Sequence, residues 1–147
     1  MTQEQKDLLI KDLCARLPYG VKAYVKNWSK LDQKYYEGVY TVNSVHPSIN
    51  DIYASTENCG VEVILGYDDY FIKPFLFTIS SMTDEQKQYL KNRFCYDWND
   101  EPYDLWICQI EIGDVDELID WFHKNYIDYR CLIPMGLAID ATGLNIY

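Results

Sequence analysis

The chain holds two histidines, His46 and His123, so a zinc site or a Ser-His-Asp triad would have to use one of them. His123 lies eight residues before Cys131, and a Cys–His pair can generate a thiolate nucleophile. No local cysteine-protease signature accompanies this pair. His123 also follows Phe122, a predicted core position. We therefore expect His123 to line the flank of a helix and His46 to lie in a turn before Pro47.

A second arrangement that could do chemistry combines His123 with Tyr129 and Arg130. In a pocket around these residues, Arg130 would hold an anionic group and His123 would move a proton. A small enzyme or small-ligand binder of this kind is our alternative function. We assign no catalytic residue and no cofactor, because the glycine-rich phosphate-loop motifs are absent and the seven glycines are scattered.

An acidic run suggests a metal site, but its spacing does not support one. From Asp97 to Asp120 the chain has nine acidic residues and neither Lys nor Arg. The first ligand spacings of an EF-hand loop occur from Asp97, yet Pro102 replaces the glycine of the sixth position and Cys108 the glutamate of the twelfth. We expect a solvated acidic face and no metal.

The overall charge of −10, with 23 acidic and 13 basic residues, argues against a general nucleic-acid binder. The charge is also segregated, since residues 1–30 carry +3, residues 31–80 carry −5 and residues 81–147 carry −8. Tyrosine supplies 14 of the 23 aromatic residues and suits interfaces. These features favour a non-enzymatic accessory protein that binds a basic protein partner through an acidic, Tyr-rich face including Asp114, Asp116 and Asp120.

A third interpretation concerns the strand that follows the first helix. Lys22 and Lys26 share its wet face with Tyr24, and such a face could meet single-stranded nucleic acid by stacking and phosphate contact. The remaining acidic field repels phosphate. An ordinary solvated strand face is therefore favoured, and nucleic acid is not the expected partner.

The elements that must position these residues begin with a helix. Thr2 and Gln5 have the spacing of a capping box, and Leu9 and Leu13 continue an apolar stripe. The segment 18–20, Pro-Tyr-Gly, should end this helix. Alternation then predicts a strand that buries Val21, Ala23 and Val25, and further strands are expected at 38–45, 52–54, 61–65 and 70–76, with Pro74 indicating an edge or a strand end.

The second half is predicted to be mainly helical. Thr83 and Gln86 form a second capping box, and Asp114 and Glu117 form a third, followed by core-facing apolar residues at Val115, Leu118, Ile119, Phe122 and Tyr126. The segment 103–112 has a β-like second half, and the tail 136–147 should dock as a short strand or hairpin. The expected fold is one α+β domain over residues 1–147. It has an N-terminal helix, a curled antiparallel sheet or small barrel of three to five strands, and two later helices.

Composition also bears on the compartment. No apolar run approaches the ~20 residues of a membrane helix, and the first twelve residues lack the apolar region of a secretory signal. The five cysteines are odd in number and form no C-x-x-C pair. We therefore expect a cytoplasmic protein without membrane contact, with reduced and mostly buried thiols.

Three segments carry a resemblance to a family. The first is the run KDLCARLPYGVK at residues 11–22, and the second is KPFL at 73–76 followed by SSMT at 80–83. The third joins WF at 121–122, DYR at 128–130, LI at 132–133 and GLA at 136–138. Together they resemble a family of small uncharacterised proteins from gut anaerobic bacteria, their phages and mobile elements. The family pattern usually has Gly where Cys131 stands, and charged residues at 134–135.

The resemblance implies a cytosolic bacterial or phage setting and no catalytic activity. In that setting, an acidic accessory protein could inhibit a nucleic-acid-binding host protein by mimicking the charge of its ligand.

Overall fold

A computed structural model describes residues 1–29, 33–65, 71–94 and 112–147 of the chain. The helices are α1 (Gln3–Arg16), α2 (Asp84–Phe94) and α3 (Ile112–Lys124), and the strands are β1 (Lys22–Ser29), β2 (Lys34–His46), β3 (Asp51–Ser55), β4 (Gly60–Ile64), β5 (Phe71–Leu76) and β6 (Ile139–Asp140). The α+β class, the N-terminal helix and the two later helices predicted from the sequence are confirmed.

The first helix begins and ends as its sequence predicts. The Thr2 hydroxyl accepts a hydrogen bond from the Gln5 amide at 3.2 Å, and the Gln5 side chain accepts one from the Thr2 amide at 2.9 Å. This reciprocal pair satisfies amides that the first helical turn leaves free. A short 3-10 turn follows, and Gly20 ends it in the left-handed conformation, with φ at 70°.

The described strands form one curled sheet in the order β4-β3-β2-β1-β5-β6. The first four pairings along this order are antiparallel, and β6 pairs parallel to β5 through Phe75 and Leu76. The curl brings β1 towards β4 although two strands separate them, since the Asn27 side chain donates to the Glu62 carbonyl at 2.7 Å. Strand β6 is only two residues long and belongs to the tail 136–147, which was predicted to dock as a short strand or hairpin.

The main core lies between α1 and one face of the sheet. Leu9 and Leu13 of α1 are fully buried there, with Val21, Ala23 and Val25 beside and within β1. The alternation predicted for β1 is therefore confirmed, because every second side chain enters the core. A second apolar cluster joins α2 and α3. Antiparallel sheets can carry a core on one face and water on the other, and here β1, β2 and β5 leave their second face open.

The start of α3 differs from the prediction. Asp114 does not cap this helix but lies in its first turn, and Ile112, predicted to end a β-like segment, already belongs to it. The reason is that Asp114 and Glu117 bind the Arg93 guanidinium of α2 instead of forming a capping box. Val115, predicted to face the core, is exposed. The rest of the predicted β-like segment, residues 103–111, lies outside the described residues.

The proline of β5 does not leave that strand at the edge of the sheet. Pro74 pairs with Ala23 of β1 on one side. On the other side β6 pairs only beyond the proline, at Phe75 and Leu76. The parallel strand therefore forms where β5 again carries backbone N–H groups.

Candidate functional site

A buried ion pair occupies the end of α1. Asp12 and Arg16 lie one helical turn apart, and both side chains are fully buried. The Arg16 Nε–Asp12 Oδ2 distance is 2.7 Å, and Nη2 lies 3.2 Å from Oδ1. This bidentate geometry uses both carboxylate oxygens, as an arginine–carboxylate pair requires when water is excluded.

The same guanidinium binds the carboxyl end of α3. Arg16 Nη2 donates to the Ile127 carbonyl at 2.9 Å, and Nη1 lies 3.3 Å from the Phe122 carbonyl and 3.5 Å from that of His123. The last carbonyls of a helix have no partner within the helix and carry partial negative charge. Arg16 therefore adds a charged donor to carbonyls that also accept backbone amides of the following turn, and it joins the two helices.

The segment after α3 returns to this ion pair. Arg130 Nη1 lies 3.4 Å from Asp12 Oδ1, and its guanidinium lies 4.9 Å from the centre of the Tyr129 ring. The neighbouring Asp128 carboxylate accepts the amides of Leu132 at 2.8 Å and Ile133 at 2.7 Å. Asp128 therefore holds the turn that carries Arg130 to Asp12.

His123 and Tyr129 meet as the pocket hypothesis requires. The His123 Nε2 and the Tyr129 hydroxyl share a hydrogen bond of 2.8 Å. Burial, reinforced by the nearby positive charges of Arg16 and Arg130, lowers the pKa of His123 to about 4, so the ring is neutral at pH 7. Burial raises the pKa of Tyr129. Arg130, however, is paired with the fully buried Asp12, so its positive charge already compensates a carboxylate of the core.

The three segments that carry the family resemblance converge on this cluster. Asp12 and Arg16 come from the first segment, and Asp128 and Arg130 come from the third. The second contributes β5, and its following residue Phe77 bridges to Ile127 and accepts the Asp128 amide at 2.8 Å. Residues of all three segments therefore contribute to the contacts around the buried ion pair.

Cys131, the residue after Arg130, has an unusual backbone conformation. Its φ angle is 59°, in the left-handed region that glycine favours. The side chain is exposed, contrary to the prediction of mostly buried thiols, because the turn held by Asp128 points it outward. Cys14 and Cys59 are half-buried, and all three described cysteines are free.

The three predicted aspartates of the acidic face have different surroundings. Asp114 Oδ1 lies 2.9 Å from Arg93 Nη2, and Asp120 accepts a hydrogen bond from the Tyr19 hydroxyl. Asp116 is exposed. Glu117 joins the Arg93 pair at 2.6 Å. The remaining acids of the run, from Asp97 to Glu111, lie outside the described residues.

An aromatic pair lies beside these acids. Tyr89 of α2 stacks on Trp121 of α3 with ring centres 5.7 Å apart and planes at 13°, and 42% of Tyr89 remains exposed. On α3, Asp116 and Asp120 are one turn apart, as are Glu117 and Trp121, so the four share the outward side of the helix. We call Tyr89, Asp116, Glu117, Asp120 and Trp121 the acidic aromatic face.

The Lys-Tyr-Lys strand face is larger than the sequence indicated. Lys22 is less available to a ligand than predicted, because its ammonium donates a hydrogen bond to the Ile146 carbonyl at 2.6 Å. Lys73 of β5 instead joins the face, since it pairs with Tyr24 across the β1–β5 ladder. Phe71 pairs with Lys26 in the same ladder. Sequence reasoning missed these two residues because no local signal indicates that β5 lies beside β1.

The other candidate groups are placed as follows. His46 ends β2, and its Nε2 lies 3.5 Å from the Ser44 hydroxyl. Among the described residues, no three or more His, Cys, Asp or Glu side chains are grouped so that they could hold a metal ion. None of the helices in the described ranges is long and apolar enough to cross a membrane.

Comparison with protein-family models, with curated proteins and with solved structures yields no match to this chain.

Proposed function

We propose that this chain is a non-enzymatic binding protein that engages a basic protein partner through the acidic aromatic face. The observation that carries the proposal is the stack of exposed Tyr89 on half-buried Trp121, bordered by the carboxylates of Asp116, Glu117 and Asp120. Tyrosine and tryptophan are enriched among residues that dominate binding energy, because they offer large rigid area with a polar group.

Charge favours a basic partner over an acidic one. The acids on the outward side of α3 face one cation of the same helix, Lys124, and the Arg93 guanidinium reached from α2. An excess of negative charge remains around the aromatic pair. Such a field speeds association with a positively charged surface and weakens as salt is added.

The contacts of the Arg130 and His123 side chains support a role without catalysis. Arg130 is paired with buried Asp12, and neutral His123 is hydrogen-bonded to Tyr129. Anion binding by Arg130 would have to break an ion pair whose acidic partner has no access to water. The pocket hypothesis therefore has less support than the binding hypothesis.

The setting of the proposal follows the family resemblance. We place the protein in the cytoplasm of a bacterium, as an accessory protein of a phage or mobile element, where the free thiols of Cys14, Cys59 and Cys131 would stay reduced. Its partner would be a nucleic-acid-binding host protein whose basic surface the acidic aromatic face occupies.

Affinity capture from bacterial lysate tests the proposal. The immobilised protein should retain proteins of basic isoelectric point at low salt and release them as salt is raised, because exposed charge attraction is screened. Each retained protein is then purified and titrated against the Asp116→Asn/Asp120→Asn variant and, separately, the Trp121→Ala variant. We expect weaker binding of both, by about tenfold or more for Trp121→Ala.

The matched control is Glu4→Gln/Glu57→Gln, which makes the same change in net charge at exposed positions in α1 and between β3 and β4. This variant should bind nearly as the native chain does. Binding that is insensitive to salt, or lost equally in the control, would refute the proposal.

A further inference from the structure

The open side of the sheet carries a second surface, distinct from the acidic aromatic face. Strands β1, β2 and β5 are neighbours, and side chains that alternate outward from them lie on the face opposite α1. We call this set the aromatic–lysine face and define it by six residues: Tyr24, Lys26, Trp28, Tyr35, Phe71 and Lys73. The register places Trp28 opposite Tyr35, Lys26 opposite Phe71 and Tyr24 opposite Lys73.

The aromatic rings form two pairs. Trp28 and Tyr35 have ring centres 4.6 Å apart, and Tyr24 and Phe71 meet edge to face at 6.2 Å. Half of Tyr35 and 37% of Phe71 are exposed. Along β1 the pairs are separated by four residues, or about 13 Å at the rise of an extended strand.

The cations lie among these rings. Lys26 stands between the two pairs, with its ammonium 5.6 Å from the centre of the Tyr35 ring. The Lys73 ammonium lies 4.8 Å from the centre of the Phe71 ring. The nearby acid Glu37 lies 3.9 Å from the Lys26 ammonium and accepts the Tyr24 hydroxyl. A phosphate at Lys26 would compete with this ion pair, which is exposed and therefore weak in water.

We propose that the aromatic–lysine face binds single-stranded nucleic acid, with bases stacked on Phe71 and Tyr35 and phosphates at Lys26 and Lys73. Phe71 and Tyr35 lie on the strands either side of β1, at the levels of Lys26 and Trp28, so they are separated by about 7 Å along the strands and about 10 Å across them. A single strand lying across β1 can place one base on each ring, with backbone phosphate near the lysines between and beside them. Every base has a π-face, so this mode needs no sequence preference. Bases in a duplex are stacked on one another and unavailable to the rings, so the face selects single strands.

Charge complementarity is local and favours nucleic acid over an acidic protein. The chain as a whole carries −10, so long-range attraction to phosphate is absent and binding depends on contacts at this face. Two lysines would hold an acidic peptide weakly, whereas the exposed rings of Tyr35 and Phe71 add stacking that bases can use and carboxylate side chains cannot. The proposal does not depend on the protein-binding proposal, because the two surfaces share no residue.

Fluorescence anisotropy with a labelled single-stranded oligothymidylate of about 15 nucleotides, at about 20 mM salt, measures this binding. We expect saturable binding, and a logarithmic plot of affinity against salt with a slope near −1.4, for two phosphates neutralised on a single strand. A duplex of equal length should bind at least about tenfold more weakly. The single substitutions Phe71→Ala and Tyr35→Ala should each weaken binding by about fivefold or more.

Two double variants with the same net charge test whether binding occurs at this face. Lys26→Glu/Lys73→Glu should abolish binding, whereas Lys11→Glu/Lys124→Glu, which changes two exposed lysines away from the face, should retain most of it. Circular dichroism and thermal unfolding verify that each variant is folded. Absence of binding by the native chain at low salt, equal loss in both double variants, or equal affinity for duplex would overturn the proposal. Tighter binding of polyglutamate than of the oligonucleotide would also overturn it and assign the face to an acidic protein.

Discussion

Replacing Arg16 with methionine should destabilise the fold more than any exposed substitution on the same helix. The change preserves much of the aliphatic stem and removes the guanidinium. Asp12 would keep only the Arg130 contact at 3.4 Å. The carbonyls of Phe122 and Ile127 would lose their charged donor and keep only a backbone amide each. Because both members of the ion pair are fully buried, water cannot replace the lost contacts.

The size of this loss of stability follows from the buried Asp12 carboxylate, which Arg16→Met deprives of its main partner. Removing one partner of a buried ion pair costs about 3–5 kcal/mol, since a buried charge loses its compensation. The carbonyls of Phe122 and Ile127 add little to this cost, because each keeps a backbone amide as donor. Arg130 can move towards Asp12 and recover part of this. We therefore expect the free energy of unfolding to fall by about 4 kcal/mol, a large share of the roughly 5–15 kcal/mol typical of a domain.

Urea unfolding followed by tryptophan fluorescence measures this loss. The control is Lys11→Met, an exposed change on α1 that introduces the same side chain and removes the same charge, and it should stay within about 0.5 kcal/mol of the native value. The double variant Asp12→Leu/Arg16→Met should be less destabilised than the sum of Asp12→Leu and Arg16→Met, because no buried carboxylate remains. A loss below about 1 kcal/mol for Arg16→Met would refute this account of the ion pair.

Three further predictions concern the segment around the end of α3. The pKa of His123 is lower in the folded state, about 4, than in the unfolded chain. Unfolding therefore takes up a proton at intermediate pH, so the free energy of unfolding should decrease as the pH falls. We expect a decrease of roughly 2 kcal/mol between pH 6.5 and pH 4, a figure reduced for solvent screening. His123→Gln should flatten this part of the pH profile. Asp128→Asn should cost about 2 kcal/mol in urea unfolding, because one amide of Leu132 or Ile133 would then face an NH₂ group; a neutral result would show that the carboxylate does not hold the turn. Cys131→Gly should raise the thermal midpoint and increase the free energy of unfolding by up to about 1 kcal/mol, because a φ angle of 59° suits glycine. Cys131→Ala should give no gain. A loss of stability in the glycine variant would contradict the argument.

Features that depend on neighbours along the chain could be predicted. The capping boxes at Thr2 and Thr83 follow from two residues three positions apart, and both form. The alternation around β1 likewise predicted which of its side chains enter the core. Local geometry dictates these outcomes, because helical and extended backbones repeat with fixed periods. The third predicted capping box failed because Arg93, about twenty residues earlier, binds its carboxylates.

The candidate surfaces depended on contacts between distant segments. His123 and Tyr129 share a hydrogen bond, and Arg130 lies over the Tyr129 ring. The sequence offered no means of pairing Arg130 with Asp12, which lies 118 residues earlier. Nor could it place Lys73 beside Tyr24, since no pattern within β5 states which strand it joins. Only the order of strands creates the aromatic–lysine face.

The sequence by itself determined the α+β class, the beginning of α1, the buried side of β1 and the segregation of charge along the chain. Each of these depends on residue type and on spacings shorter than about two helical turns. The tertiary structure alone decided which charges are neutralised in the core, as at Asp12 and Arg16, and which remain at a surface, as at Lys26. The physical reason is that the energy of a charge depends on its exposure to water and on its partners, and both are set when distant segments pack together.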